Sequence, residues 1–152
     1  MQRLLLCMLA YAAAITASAH PELQVVPEAE RERAQELAAE GPSETVGVEA
    51  IHDLGRIALT GEFAAAPDGH VLRARELVIN PGGIVVVHAH TGRPGVAYIL
   101  EGEIVEHRSD EDAPVLRRAG DTSFEYTGLL HWWHNESDAT VRALVVDIVP
   151  EP

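Results

Sequence analysis

Hydropathy divides the chain into three stretches. The first is an apolar run from Leu4 to Ala14 close behind Arg3, followed by the small-residue ending Ala17-Ser18-Ala19. The second, 20–43, is a lead-in whose segment from Glu28 to Glu40 has a thin apolar face, little beyond Leu37 and several alanines. Pro27 opens a segment from Glu28 to Glu40 and Gly41-Pro42 closes it, which predicts a short surface helix with acidic residues at its favourable end. From 44 onward the pattern changes to short β-rich runs: Val46 to Ile51, Arg56 to Leu59, Val71 to Ile79, Ile84 to His88, Val96 to Leu100, Glu103 to His107, Val115-Leu116 and Val141 to Val149. Asn80-Pro81-Gly82-Gly83, Glu101-Gly102, Ala119-Gly120-Asp121 and Asn135 to Asp138 punctuate them as turns. Many short strands with no helix between them predict an all-β domain, an antiparallel sandwich or barrel, over 44–152.

The first stretch has the three parts of a secretory signal peptide: a positive start, a short apolar middle and an A-x-A end. Its apolar run falls short of the ~20 residues that span a bilayer. Cleavage after Ala19 and a periplasmic or secreted location are therefore expected, with no membrane attachment afterwards. Arg3 stands alone, so a twin-arginine signal is not supported.

Composition then removes whole classes of chemistry. Cys7, the sole cysteine, lies in the signal stretch, so the mature chain has no disulfide, thiolate nucleophile or cysteine-based metal site. Every basic residue apart from histidine is an arginine, which excludes lysine bases and Schiff bases. A net charge of −13, one unit more negative without Arg3, repels phosphate backbones and anionic lipid heads. No nucleic-acid partner is expected. Histidine, carboxylate, tyrosine and a bound metal remain.

His88 and His90 stand two apart in a strand-like run, so alternation puts them on one face, together with Ile84 and Val86. Adjacent imidazoles on an apolar face need hydrogen-bond partners or a cation. An exposed pair on the outer face of the sheet is the alternative. Gly82 precedes His88 by six, and Val96 to Gly102 follows. Gly120, Gly128, His131 and Asn135 then form G-x7-G-x2-H-x3-N.

These two blocks, from Gly82 to Asn135, resemble the conserved motifs of the cupin superfamily, G-x5-H-x-H-x3-4-E-x6-G and G-x5-P-x-G-x2-H-x3-N. The resemblance implies a jelly-roll β-barrel in which His88, His90 and His131 converge on one metal ion. Two positions depart from it. Tyr126 replaces the second block's proline, and Gly95 stands where the first block's glutamate ligand belongs. The expected site has three histidines and at least one open position. Neutral imidazoles suit a divalent transition metal such as Fe, Zn, Mn, Ni or Cu.

Trp133 shares the parity of His131 and is expected inside the barrel, packed in the core or walling a substrate pocket for a ring-bearing or otherwise apolar ligand. Arg93, in the loop Thr91 to Gly95, is a candidate to bind a substrate carboxylate or to pair with a nearby acid. Trp132 and His134 should face outward, with Trp132 packed under the lead-in or at a homodimer interface. Tyr98 is expected on the outer face, and His70 and His107 in solvent near turns. The resulting expectation is an exported metal-binding cupin for a small organic molecule, as a metal-dependent oxygenase, a dioxygenase for instance, or an isomerase. A non-catalytic ligand- or metal-binding cupin and a structural barrel with an empty pocket are the alternatives, and fold alone does not choose among them.

Overall fold

Residues 24–151 are described by the structure, a computed structural model; the signal-peptide expectation concerns residues outside that range. Among the described residues, one helix, α1 (Glu28–Glu36), precedes eight strands. These are β1 (Val46–Ala58), β2 (His70–Ala89), β3 (Gly95–Glu101), β4 (Glu103–Arg108), β5 (Val115–Arg118), β6 (Thr122–Glu125), β7 (Leu130–His134) and β8 (Val141–Pro150). All pair antiparallel in the order β5-β4-β7-β2-β8-β3-β6, with β1 against β2. The sheet curls into a nearly closed barrel.

The long strand β2 organises the barrel. Its first half pairs with β8, from His70↔Pro150 to Ile79↔Val141, and its last part pairs with β7, from Ile84↔His134 to Ala89↔Leu130. The predicted turn at Asn80 to Gly83 is therefore a bend within one strand, which hands the chain from one neighbour to another. Glycine is required there: a Cβ on Gly83 would lie 2.6 Å from Ile79 Cγ2 and 2.8 Å from the Asn80 carbonyl oxygen. The runs Val46 to Ile51 and Arg56 to Leu59 likewise join into β1, whose register shifts between Asp53 and Gly55. β6 and β7 are strands outside the runs that the hydropathy pattern announced.

Alternation builds the interior. Leu77 and Ile79 of β2, Ala97 and Ile99 of β3, Ile104 of β4 and Val141, Ala143 and Val145 of β8 form one buried cluster with Val85, Val86 and Trp133. Each large member contributes about 1.5–3 kcal/mol by leaving water. The same inward parity carries charged or polar residues toward the other end of the strands: Arg75, Glu106, Ser123, Glu125 and Asp147 are all buried.

The helix stops at Glu36, four residues before the expected end, because Ala38 turns to φ 51° and its N–H donates back to Gln35 O. α1 also has a structural contact that its thin apolar face did not suggest. Glu30 is buried and its carboxylate accepts the Thr91 N–H at 3.1 Å, which ties the helix to the loop that carries Arg93.

Candidate metal centre

Two paired strands bring the histidines together. His88 lies near the end of β2 and is the register partner of His131 on β7, while His90 follows immediately after β2. Between Val85↔Trp133 and His88↔His131, β2 spends one more residue than β7, a bulge that resets the alternation. Val85 consequently lines the interior cavity with His88, while Ile84 pairs with the outward His134, which corrects the expectation that Ile84 shares the histidines' face; Val86 is buried in the core. Bulges of this kind re-aim side chains near sites, and nothing in the local residue pattern marks this one.

The three rings are buried, with exposures of 6%, 0% and 1% for His88, His90 and His131. Each Nδ1 has an oxygen partner. Nδ1 of His88 donates to Val86 O at 2.8 Å, that of His90 to Arg93 O at 3.0 Å, and that of His131 to a Glu106 carboxylate oxygen at 2.8 Å. These acceptors fix the Nδ1–H tautomer, so in the neutral rings every Nε2 carries a lone pair. Burial, then the crowding of the other imidazoles and Arg93, lowers the pKa of His88 well below its ordinary value and that of His90 to about 2, which keeps both rings neutral.

The three Nε2 atoms face one another at 3.2, 3.0 and 3.1 Å. Lone pairs that converge so closely repel unless a cation lies between them. With metal–nitrogen bonds of about 2.1 Å, neighbouring ligands of an octahedron stand about 3.0 Å apart and those of a tetrahedron about 3.4 Å. The observed triangle matches one face of an octahedron and leaves the opposite side for other ligands. The residues therefore fit a divalent metal ion.

Two carboxylates flank the triad. Glu106 on β4 is completely buried and accepts hydrogen bonds from His131, Arg108, Arg117 and Ser123 at 2.7–3.0 Å. Burial alone would raise its pKa, but these donors outweigh it and hold the carboxyl below its usual range. Glu125 on β6 is also buried, yet one of its oxygens has no hydrogen-bond partner. Its oxygens lie 3.7 Å from His90 Nε2 and 3.8 Å from His131 Nε2. Burial pushes its pKa up, against the pull of His131 and Arg93.

A cavity of about 30 Å³, room for about two ordered waters, adjoins His88 and His131. Arg75, Arg93, Glu125 and Trp133 are among its walls, and Val25 and Val26 of the lead-in are on its border. Arg93 is 4% exposed: it donates to Asp147 at 2.9 Å, and its other amino nitrogen lies 3.3 Å from His90 Nε2. Asp147 also holds Arg73 bidentately at 2.8 and 3.0 Å and has Arg75 at 3.6 Å. Three guanidinium groups thus surround one carboxylate, and the pocket carries excess positive charge. Burial lowers the pKa of Arg75 to about 10, which leaves it protonated at neutral pH. The Nε–H of Arg75, the Nε–H of Arg93 and the indole N–H of Trp133 are buried without partners. A space this small suits a compact polar molecule better than the ring-bearing or apolar ligand expected from Trp133 alone.

Trp133 sits inside the barrel with its ring edge-on to His131, 6.1 Å between centroids. Trp132 and His134 face outward, and Trp132 packs under the lead-in at Gly41, where a Cβ would meet it at 2.9 Å. Tyr98 is on the outer face and exposed. His107 differs from expectation: it stacks flat on Trp132 with centroids 3.7 Å apart, since both point to the same outer face of the paired strands β4 and β7. His70 is half-buried, its Nδ1 near Asp68 O. Glu106, Glu125, Arg75 and Asp147 were not among the expected site residues. For three of them the signal was available, as a charge at the inward parity of an otherwise apolar strand: Arg75 with Leu77 and Ile79, Glu106 with Ile104, Asp147 with Val145 and Val149. Glu125 lies on the short polar strand β6, whose other inward residue is Ser123, and had no such signal.

Comparison with known proteins agrees with this construction. The family model "Cupin domain" matches residues 75–147, from the inward arginine of β2 to the inward aspartate of β8. A Thermotoga maritima protein named oxalate-binding protein is 36% identical over 69 residues, which make up 45% of this chain and 55% of that protein. The matched stretch thus spans about half of that relative. The crystal structure of TT1209 from Thermus thermophilus superimposes with a TM-score of 0.52 at 26% identity, covering 78% of this chain and 94% of that one. A cupin 2 conserved barrel domain protein from Salinispora arenicola has a TM-score of 0.48 at 16% identity, over 64% of this chain and 72% of that one. Both sequence blocks, the barrel and the convergent histidines lead to one assignment: the chain belongs to the cupin superfamily.

Proposed function

We propose that this chain is an exported protein that binds a small carboxylate-bearing molecule of the oxalate class through a divalent transition metal held by His88, His90 and His131. The observation that carries the reading is the convergence of three Nε2 lone pairs beside a small cavity lined by two buried arginines with unpaired N–H groups. A metal at the histidines supplies a Lewis-acidic site for one end of an anion. The chain's own residues do the rest. Arg93 and Arg75 offer charged N–H donors to a carboxylate, and the Trp133 indole N–H offers a neutral one. Glu106 holds the His131 ring in its orientation, and Asp147 holds the arginines. The excess of guanidinium over carboxylate makes an anion a better occupant than a neutral molecule of the same size. The name of the Thermotoga maritima relative supports oxalate as the first anion to test. The signal-like start supports export.

Calorimetric titration of mature protein loaded with Mn(II), Fe(II) or Zn(II) tests the proposal. Oxalate should bind, acetate, with a single carboxylate, should bind more weakly, and an uncharged diol should not bind. Failure of all anions on metal-loaded protein would sink the ligand assignment. Oxygen uptake recorded on the Fe(II) sample separates an oxygenase from a binding protein.

A further inference from the structure

Gly95 removes the family's carboxylate ligand from its usual place, but it does not remove the carboxylate from the site. Gly95 is the register partner of Glu125 across β3 and β6. A Cβ built on Gly95 would lie 3.0 Å from Glu125 Oε2, so the Glu125 carboxylate occupies the space that a side chain at 95 would enter. The two positions are neighbours on adjacent strands. We infer that Glu125 is a direct metal ligand, in place of the glutamate that Gly95 lacks. The inference rests on the three-histidine reading above.

Three observations carry it. Glu125 is 5% exposed and its Oε2 has no hydrogen-bond partner, whereas Glu106, the other buried glutamate beside the histidines, has a full set of donors. A native protein rarely leaves a buried carboxylate oxygen unpaired unless something else binds it. The carboxylate also reaches the correct side of the triad. Its two oxygens stand 3.7 and 3.8 Å from the Nε2 atoms of His90 and His131, within 1 Å of the spacing of about 3.0 Å between neighbouring octahedral ligands. Finally, glycine at 95 leaves open the space beside Glu125, where a Cβ would meet Glu125 Oε2 at 3.0 Å as well as Val146 O at 3.0 Å and Asp147 Cβ at 3.1 Å. The absence of a side chain on one strand creates the room for the carboxylate of the next.

This swap changes the access geometry of the site. The carboxylate now comes from β6, and the loop Thr91 to Pro94 is free to turn Arg93 inward to Asp147 and the cavity. A metal held by three histidines and Glu125 would leave room among its ligands for a small anion from the cavity.

Co(II) alone is the probe. Wild-type protein, Glu125→Gln and Glu125→Ala would be titrated with Co(II), and the structure of the Co(II)-loaded wild type determined by crystallography. The expected result is a Glu125 oxygen bonded to cobalt, together with a roughly tenfold to hundredfold weaker Co(II) affinity in both variants. A Glu125 carboxylate separated from the metal by water, or variants that bind as tightly as wild type, would overturn the inference and leave the three-histidine site standing. A wild type that takes up no Co(II) would overturn both. The wild-type structure decides the matter even where a variant fails to fold.

Discussion

The two sides of the histidine cluster differ sharply. On the Nδ1 side every group has its partner: Val86 O, Arg93 O and a Glu106 carboxylate that is itself held by two arginines and a serine. On the Nε2 side three nitrogens face one another, Glu125 has an unpaired oxygen, and two buried arginines and Trp133 have unpaired N–H groups. The same strands and the same alternation build both sides. The difference teaches that the Nδ1 side is a finished piece of protein structure and the Nε2 side is complementary to something that is not protein. Unpaired buried polar groups cost about 1–3 kcal/mol each, so a fold that keeps several together gains only when a ligand meets them.

Breaking the Nε2 side should have the largest effect. His88→Ala removes a ring whose Nδ1 meets only a carbonyl, so the fold should survive. Metal content by elemental analysis should fall from near-stoichiometric to background, an affinity loss of over about a hundredfold. Retention of metal in this variant would contradict the site. The support beneath the cavity is next. Asp147→Asn leaves buried arginines without their charge partner and should cost about 3–5 kcal/mol in urea unfolding. Hydrogen bonding from Arg73 and the charges of Arg75 and Arg93 depress the Asp147 pKa despite its burial. A depressed carboxylate contributes stability that is present above its unfolded pKa of about 3.9 and is lost as pH falls toward the folded value. The wild type should therefore lose stability on acidification through that window, and the variant should lose less.

Glu106→Gln sharpens the comparison, because it touches only the finished side. It should weaken metal binding roughly tenfold to hundredfold through the misaligned His131 ring, without removing any ligand. An unchanged affinity would mean that orientation of His131 does not depend on this carboxylate. Arg93→Lys should leave metal affinity nearly intact and weaken oxalate binding about tenfold, since lysine lacks the planar fork; equal oxalate affinity would remove Arg93 from the ligand set. The smallest effect belongs to the outer face. His107→Ala removes the flat stack on Trp132 and should cost about 0.5–1.5 kcal/mol of stability, with no change in metal binding.

Much of this was legible in the residues. Period-two alternation and turn punctuation led to an all-β barrel, and the His-x-His run with Gly128, His131 and Asn135 led to the three side chains that the barrel brings together. The expected solvated position of His107 missed its stack on Trp132, because cross-strand pairs depend on register. Ile84 was given to the wrong face because a one-residue bulge between Val85 and His88 resets parity without any local sequence mark. The buried charges were overlooked for a different reason. Arg75, Glu106 and Asp147 sit at inward positions that alternation did reveal, but charged residues are read by default as solvated; Glu125 lies on β6, which no apolar run announced.

By itself, then, the sequence determined the elements, the histidine spacing and the absence of a ligand at Gly95, since these are matters of local period and residue type. Tertiary structure alone decided which carboxylate faces the histidines, how three arginines share Asp147, and how little room the cavity leaves. Those depend on the register of β3 with β6 and of β2 with β8, and register is a relation between distant segments that no single stretch of chain contains.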